Sequence, residues 1–264
     1  MRDVCVVIPM YGFGEYTKKC IEMTLENAGM DVDILIVDDG SETPFYYGHE
    51  SVFIHRLDEN SGFTNATNQG ILWCGDKYKY IHLLNNDTEP EKNFIKVLYD
   101  LMEANPRIGI ASSARKHPSK DSPKGYLIEM FGIDLIRGYQ LCCQDDLPQD
   151  YYQCNWVPVS SSLVRHEMIR YIGILDRRMR NHCSDNDYCI RARMNNWDVV
   201  VVPKSKVFHH HEITTTTHKL SPYDDQKILI EKLAGIQYAQ LMKEMPLDHE
   251  NKTWGKLDFM TYTK

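Results

Sequence analysis

Short apolar runs separated by polar, glycine-marked turns set the pattern of the chain. Val4-Cys5-Val6-Val7-Ile8-Pro9 is apolar on both faces, which predicts a buried parallel strand. Residues 15–29 carry Ile21, Met23, Leu25 and Ala28, then Gly29, and predict a helix with a glycine stop. A second strand, Ile34–Val37, breaks off at Asp38-Asp39-Gly40-Ser41. Strand, helix and strand in this order form a βαβ unit, so the expected fold is α/β with a mostly parallel, doubly wound sheet. Val52–His55 and Tyr80–Leu84 read as further strands. Between them a polar loop, Asn60–Gly70, runs into a helix over 65–74. Asn85-Asn86-Asp87-Thr88 follows the fourth strand. A helix over 91–104 and a strand at Ile108–Ala111 come next. The signal weakens from 113 to 155, apart from a hairpin around Gly132–Gly138. Helices at 165–172 and Ser184–Asn195, a strand at Val199–Pro203 and a long helical pattern over 222–245 complete the reading. No repeat or linker interrupts it. The domain organisation expected is one unit over 1–220, with 221–264 as a helical extension packed on it.

Composition narrows the class. Hydrophobic residues at 42% and charged residues at 25% of 264 exclude a disordered or fibrous chain. Thirty Lys+Arg against 37 Asp+Glu leave a net charge of −7, which argues against general nucleic-acid binding through a basic surface. Eight cysteines without a CxxC pair point to reduced thiols. No apolar run approaches the roughly 20 residues of a membrane helix, and no secretory apolar region precedes the first strand. A soluble, cytoplasmic enzyme is the expectation.

Three groups of residues have the chemistry for a site. Asp38, Asp39 and Asp87 stand at the carboxyl ends of strands, where open α/β sheets bind ligands. Ordinary turn chemistry accounts for Asp-Gly-Ser and Asn-Asp-Thr equally well. Ser184, a good N-cap, sets Asp185 and Asp187 in a first helical turn. Acids there complement the helix dipole, and one facing a cleft is placed to act as a general base. In Phe208-His209-His210-His211-Glu212, strand alternation puts His209 and His211 on one face and His210 on the other. Imidazoles suit a divalent metal, but zinc would need more ligands nearby, and a solvated histidine cluster remains the alternative.

Taken in order, these segments resemble the inverting GT-A glycosyltransferases of family 2, over roughly residues 3–212. Val4–Tyr11 resembles the opening VSVIIPTYN strand, with Gly12 for the usual Asn. Ile34–Ser41 resembles the second strand, and Asn60–Gly70 the NxGxxxAxNxG loop. Leu83–Pro90 resembles the LLNxDTxP form of the metal motif, and Gly173–Asp176 the GgFD turn. Ser184–Arg191 resembles EDxDLCxR, with Ser184 for the Glu, and Val202–His209 the segment ending in a metal-binding His.

The resemblance implies roles for particular residues. Pro9 and Tyr11 would shape the nucleobase pocket, and Asp39 would accept the imide N–H of uracil or thymine. Asn65 and Asn86 would join them around the donor, Asn86 beside the ribose. Asp87 and His209, with His211 a weaker candidate, would hold Mn²⁺ or Mg²⁺ against the diphosphate. Asp185 would be the base that deprotonates the acceptor, with Asp187 and Trp156 as acceptor-side candidates. The partners implied are a UDP or dTDP sugar and a glycan or other hydroxyl acceptor. The LLNxDT form is similar to that of rhamnosyltransferases. Two alternatives stand. A sugar-nucleotide nucleotidyltransferase would want a basic residue in the glycine loop after the first strand, and none occurs before Lys18. A non-catalytic nucleotide-sugar-binding module would explain Ser184.

Overall fold

The computed structural model describes residues 2–118, 125–134, 138–142, 147, 149–210, 223–235 and 259–260. β1 (Val4–Met10), β2 (Asp33–Asp38), β3 (Val52–Arg56) and β4 (Tyr80–Leu84) form a parallel block in the order β4-β1-β2-β3. α1 (Gly14–Asn27) joins β1 to β2, and α2 (Phe63–Cys74) joins β3 to β4. After β3 the chain crosses to the other side of β1. The strand order therefore reverses between β1 and β4, which opens a crevice at their carboxyl ends.

Alternation along these strands feeds two cores, one on each face of the sheet. Val6, Ile8, Ile34 and Ile36 face Cys20 and Ile21 of α1. Val7, Leu35 and Val37 face Ala66 and Ile71 of α2. Each fully buried aliphatic side chain contributes about 1.5–3 kcal/mol. α2 lies so close to β1 that a Cβ on Gly70 would stand 2.2 Å from Val7 Cγ1.

Beyond β4 the sheet becomes mixed. β5 (Thr88–Pro90) is a three-residue strand, and α3 (Phe94–Ala104) packs Phe94, Ile95 and Leu98 on the α1 face. β6 (Ile108–Pro118) is longer than the predicted 108–111 strand. β7 (Tyr126–Asp134) and β8 (Gly138–Cys142) pair antiparallel and flank the predicted hairpin. β9 (Tyr152–Gln153) is short. β10 (Ser161–Arg165), which the hydrophobic pattern does not predict, runs antiparallel between β4 and β6. The remaining elements are α4 (His166–Ile172), α5 (Ser184–Met194), β11 (Asp198–His209), α6 (Tyr223–Gly235) and β12 (Phe259–Met260). The predicted helical pattern beyond 235 and the 211–222 connection lie outside the described residues. Among the described residues no helix is long and apolar enough to cross a membrane.

β11 sets up the cleft. It first runs parallel to β6, from Asp198 to Val202. The register then shifts by a bulge over Pro203–Ser205, so that Val202 pairs with Ser113 but Lys206 with Ala114. A bulge bends and re-aims a strand. Here it carries the end of β11 against β5, where His209 pairs with Thr88.

One serine each from β11, β6 and β10 forms a buried row. Ser205 Oγ donates to Phe94 O (2.8 Å), Ser113 Oγ lies 2.7 Å from Ser205 Oγ, and Ser161 Oγ lies 2.9 Å from Ser113 Oγ. His82 Nε2 completes the row at 3.2 Å from Ser161 Oγ. Each hydroxyl has one proton to give, so the row runs toward Phe94 O and His82 donates through Nε2–H as the neutral imidazole. Its Nδ1 is buried without a hydrogen-bond partner, and burial lowers its pKa to about 3. The folded protein thus excludes a proton that the unfolded chain accepts near pH 6.5. His82 therefore supports folding fully above that pH and progressively less as the pH falls toward 3. Urea titrations between pH 7 and 4 should show a declining midpoint, and His82→Leu should decline less steeply. Parallel curves for the two proteins would refute the assignment. Gly70→Ala should separately cost about 1–3 kcal/mol in the same titration at pH 7, through overpacking against Val7.

Candidate functional site at the β1–β4 crevice

The β1–β4 ladder ends at Val7–Leu83. Pro9 lies just past it, still in register with Val37 of β2, where its missing N–H forfeits no bond on the β4 side. Tyr11 follows, half-buried. Gly12 N–H donates to Ser41 Oγ (2.9 Å), and Asp39 N–H to Met10 O (2.8 Å), which ties the ends of β1 and β2 together.

The two adjacent acids after β2 do different work. Asp38 is fully buried and accepts from Ser41 N–H (2.9 Å) and Arg56. Burial pushes its carboxyl up, but these donors outweigh that and hold it below the usual range. Asp39 Oδ1 accepts from Ser61 N–H (2.8 Å) and Ser61 Oγ (2.6 Å), and Oδ2 from Gly62 N–H (2.9 Å). Burial still raises its carboxyl above the usual range. One lone pair remains on Oδ2 for an outside donor. Gly62 has φ 93°, and a Cβ there would meet Arg180 Cγ at 2.4 Å, so the loop requires glycine on both counts.

On the other side of the crevice the β4–β5 turn presents Asn86 and Asp87. Asn86 and Asp87 are each 9% exposed, and Asn86 Nδ2 donates to the buried Thr17 Oγ1 (3.0 Å). The bent end of β11 brings His209 Nε2 to 3.1 Å from Asp87 Oδ1, and His210 N–H donates to Asp87 O (3.0 Å). Burial pushes the Asp87 carboxyl up, but the His209 contact wins and holds it low. His210 points away, 2.6 Å from Glu89 Oε1 and edge-on to Tyr16, as strand alternation predicts. His211 lies outside the described residues.

Arg115, at the end of β6, had no place in the sequence reading. Its Nη1 lies 3.2 Å from His209 Nδ1 and 3.2 Å from Ser160 Oγ, and its Nε pairs with Glu129 Oε2 at 2.7 Å. Guanidinium only donates, so His209 accepts at Nδ1 and carries its proton on Nε2, toward Asp87. A cation emerging from the carboxyl end of an apolar strand was the available signal.

α5 closes the third side. Its N-cap is Cys183, in a left-handed conformation (φ 63°), not the expected Ser184. Ser184 is instead the first helical residue, 2% exposed, with Oγ 2.9 Å from Thr64 Oγ1 of α2. Asp185 is half-buried and accepts from Asn186 N–H (2.9 Å). Burial raises its carboxyl, opposed by that hydrogen bond and by the charges of Arg115 and His182. Asp187 is taken up by Arg191 Nε (2.8 Å) and Lys232 Nζ (2.5 Å), an arrangement that holds helices together. Trp156 is half-buried against the apolar cluster under α2. Asn65 sits half-buried in the first turn of α2. Asn68, from the same motif, donates to Leu175 O (2.9 Å) and accepts from Leu175 N–H (3.0 Å), pinning the 173–176 turn.

The donor set at Asp87 and His209 fits Mn²⁺ or Mg²⁺. One carboxylate and one imidazole converge, and such cations keep their other positions for phosphate and water. Among the described residues no three His, Cys, Asp or Glu side chains could hold a metal by themselves. A cation on Nε2 would require the His209 proton to shift to Nδ1 and Arg115 to move off it.

The model of the family described as Glycosyl transferase family 2 matches residues 5–171. Glycosyltransferase GlyG of Streptococcus pneumoniae is 28% identical over 107 residues, 38% of this chain and 35% of that one. The uncharacterized glycosyltransferase RP339 of Rickettsia prowazekii is 23% identical over 244 residues, 84% of this chain and 69% of that one. Among solved structures, GalNAc-T7 with UDP, GalNAc and Mn²⁺ superposes with a TM-score of 0.59 at 12% identity, over 79% of this chain and 44% of that one. Residues 1–349 of Staphylococcus aureus TarS give 0.56 at 12% identity, over 79% and 60%. The chain thus spans about a third of GlyG and less than two thirds of both solved chains. The fold they share is GT-A.

The two-point clamp on Leu175 is directly testable. Asn68→Asp keeps the acceptor for Leu175 N–H but sets a carboxylate oxygen against Leu175 O. It should lower the unfolding free energy read from a urea titration by about 1–3 kcal/mol, and the midpoint with it. An unchanged midpoint would mean that the clamp adds nothing to stability.

Proposed function

Since this chain belongs to glycosyl transferase family 2, we propose that it transfers a sugar from a nucleoside diphosphate to a hydroxyl acceptor, with inversion at the anomeric carbon. One observation carries the reading. Asp39, the Asp87–His209 pair and Asp185 border a single crevice, bridged by Ser184–Thr64 on one side and by Arg115 on the other.

Asp39 takes the imide N–H of uracil or thymine on its remaining lone pair, with Tyr11 and Pro9 shaping the base pocket and Asn65 and Asn86 around the rest of the donor. UDP and dTDP sugars are thus preferred over adenine carriers, and a deoxysugar such as rhamnose is the first donor to try. Asp87 and His209 would hold a divalent cation, which supplies positive charge to the departing diphosphate. Asp185 takes the proton of the acceptor hydroxyl. Its raised pKa makes it a stronger base, while Arg115 and His182 favour the ionised form. Attack from the Asp185 side, opposite the leaving group, inverts the sugar. Ser184 does not weaken this role, because its position is buried against Thr64 and the neighbouring carboxylate is the one left in the crevice. Residues 1–220 form the transferase unit in this reading, and the contacts of α6 with Asp176, Arg180–His182 and Asp187 support 221–264 as an extension packed on it.

A thermal-shift screen of UDP, dTDP and GDP sugars, with and without Mn²⁺, should find a donor that stabilises the protein only with metal. Asp87→Ala should abolish that shift, and EDTA should abolish turnover. Asp185→Asn should keep the shift and lose about 10²–10⁴-fold in transfer. Transfer near the native rate in Asp185→Asn would sink the base assignment.

A further inference from the structure

The segment from Asp176 to Asp187 carries the proposed base and forms no regular structure before α5. Helix α6, which lies beyond the residues matched by the family model, holds it at both ends. Asp225, 5% exposed, accepts three consecutive backbone N–H groups. Arg180 N–H reaches Oδ1, and Asn181 and His182 N–H reach Oδ2, each at 2.8 Å. Such a nest of amides requires an anion, because amides buried without an acceptor are costly. Seven residues on, two turns along the same face, Lys232 Nζ bridges Asp176 (2.8 Å) and Asp187 (2.5 Å). Cys183 comes directly after the nest and adopts φ 63°, a conformation that a non-glycine residue keeps only when its surroundings impose it. That turn starts α5 and sets the direction of Asp185, two residues later.

We propose that α6 is a positioning element for the acceptor side of the site, in which Asp225 moulds the Arg180–His182 loop, with Lys232 fixing its flanks, so that Asp185 meets the acceptor hydroxyl. Asp225 touches neither sugar nor nucleotide and acts through Asp185. The proposal rests on the assignment of Asp185 as base. Asp39 and Asp87 follow β2 and β4, and although Arg180 and Asn181 also touch the 60–64 loop, the Ser61 and Gly62 donors of Asp39 are not among the groups that Asp225 holds, so loss of the clamp falls on turnover before it falls on donor binding.

Two measurements test it. Hydrogen exchange needs no substrate. The amides of Arg180, Asn181 and His182 should be protected in the native chain and exchange at least tenfold faster in Asp225→Ala, while those of β1 and β4 stay protected. Unchanged protection at 180–182 would overturn the proposal. The second is a cycle of Asp225→Asn, Asp185→Asn and both together, read as turnover of the sugar nucleotide found in the screen and as UDP affinity in Mn²⁺. Asp225→Asn should lose about 10–100-fold in turnover, with UDP affinity within about threefold of native. Asp225→Glu should recover part of the loss. The double variant should be no slower than Asp185→Asn alone, because one residue acts through the other. Should Asp225→Asn fold poorly, Lys232→Met, which leaves the nest intact, should still show a smaller turnover loss at native UDP affinity. Losses that multiply, or UDP affinity falling in step with turnover, would overturn the clamp and leave the base assignment standing. Native turnover in Asp185→Asn would overturn the base assignment itself and the clamp with it.

Discussion

The cleft depends on one short pairing: the last residues of β11 against the three-residue β5, Val207 with Pro90, Phe208 with Glu89 and His209 with Thr88. Residues about 120 apart in sequence are joined there, and among the described residues it is there that an imidazole reaches the Asp87 carboxylate. The bulge at Pro203–Ser205 shifts the register of β11 on β6, and beyond it the strand pairs with β6 on one side and with β5 on the other. Ser205 pays for the irregularity by bonding inward to Ser113 and Phe94 O. Bulge, buried hydroxyl row and Asp87–His209 pair are therefore a single construction. The row reaches through Ser161 to His82, so the polar interior of the sheet and the site share a foundation.

The aspartates divide by the kind of donor each one meets. Asp38 is filled by Ser41 and Arg56, Asp187 by Arg191 and Lys232, and Asp225 by three backbone amides. These hold the chain in shape. Asp39 meets three neutral donors from Ser61 and Gly62, Asp87 meets the His209 imidazole, and Asp185 meets backbone amides. Asp38 and Asp187 are each closed by a cationic side chain, whereas Asp39 and Asp185 are met by neutral donors. The division also explains why adjacent residues such as Asp38 and Asp39 diverge, since one points into a cage of donors and the other across to the 60–62 loop.

How much of this the sequence made legible follows the same logic. β1, β2 and β4 were readable because a strand buried on both faces must be apolar throughout, and α5 because its acids mark a helix start. Asp39, Asp87, Asp185 and His209 were singled out through motif order, and the structure joins Asp87 to His209 and lays Arg115 beside that histidine. β10 was missed because Ser161 and Ser162 look like turn residues. They occupy a central strand because Ser113 and His82, far away in sequence, take up the Ser161 hydroxyl, and Pro158 O, four residues back, takes up that of Ser162. Beyond β4 the sheet is mixed for the same reason, since a polar strand inserted antiparallel leaves no hydrophobic signature. The cap of α5 moved from Ser184 to Cys183 because Thr64 offered the serine hydroxyl a tertiary partner. Local capping preference yielded to packing.

Arg115 shows what a pattern of types cannot carry. A guanidinium 8% exposed is tolerated only when paired, and Glu129, with no exposure at all, supplies the partner from β7. The pair fixes the guanidinium in one place, 3.2 Å from the His209 ring and with its charge felt at Asp185. A single buried cation thus faces both halves of the proposed chemistry. It restrains the imidazole that would share the metal with Asp87, and it offsets part of the burial cost of the carboxylate that would take the acceptor proton. Neither Arg115 nor Glu129 belongs to any of the motifs that revealed the site. Their partnership is created by the β6–β7 ladder, where Arg115 stands directly opposite Glu129. The chemistry of the crevice therefore rests on a register between two strands, and register is settled by the sheet as a whole.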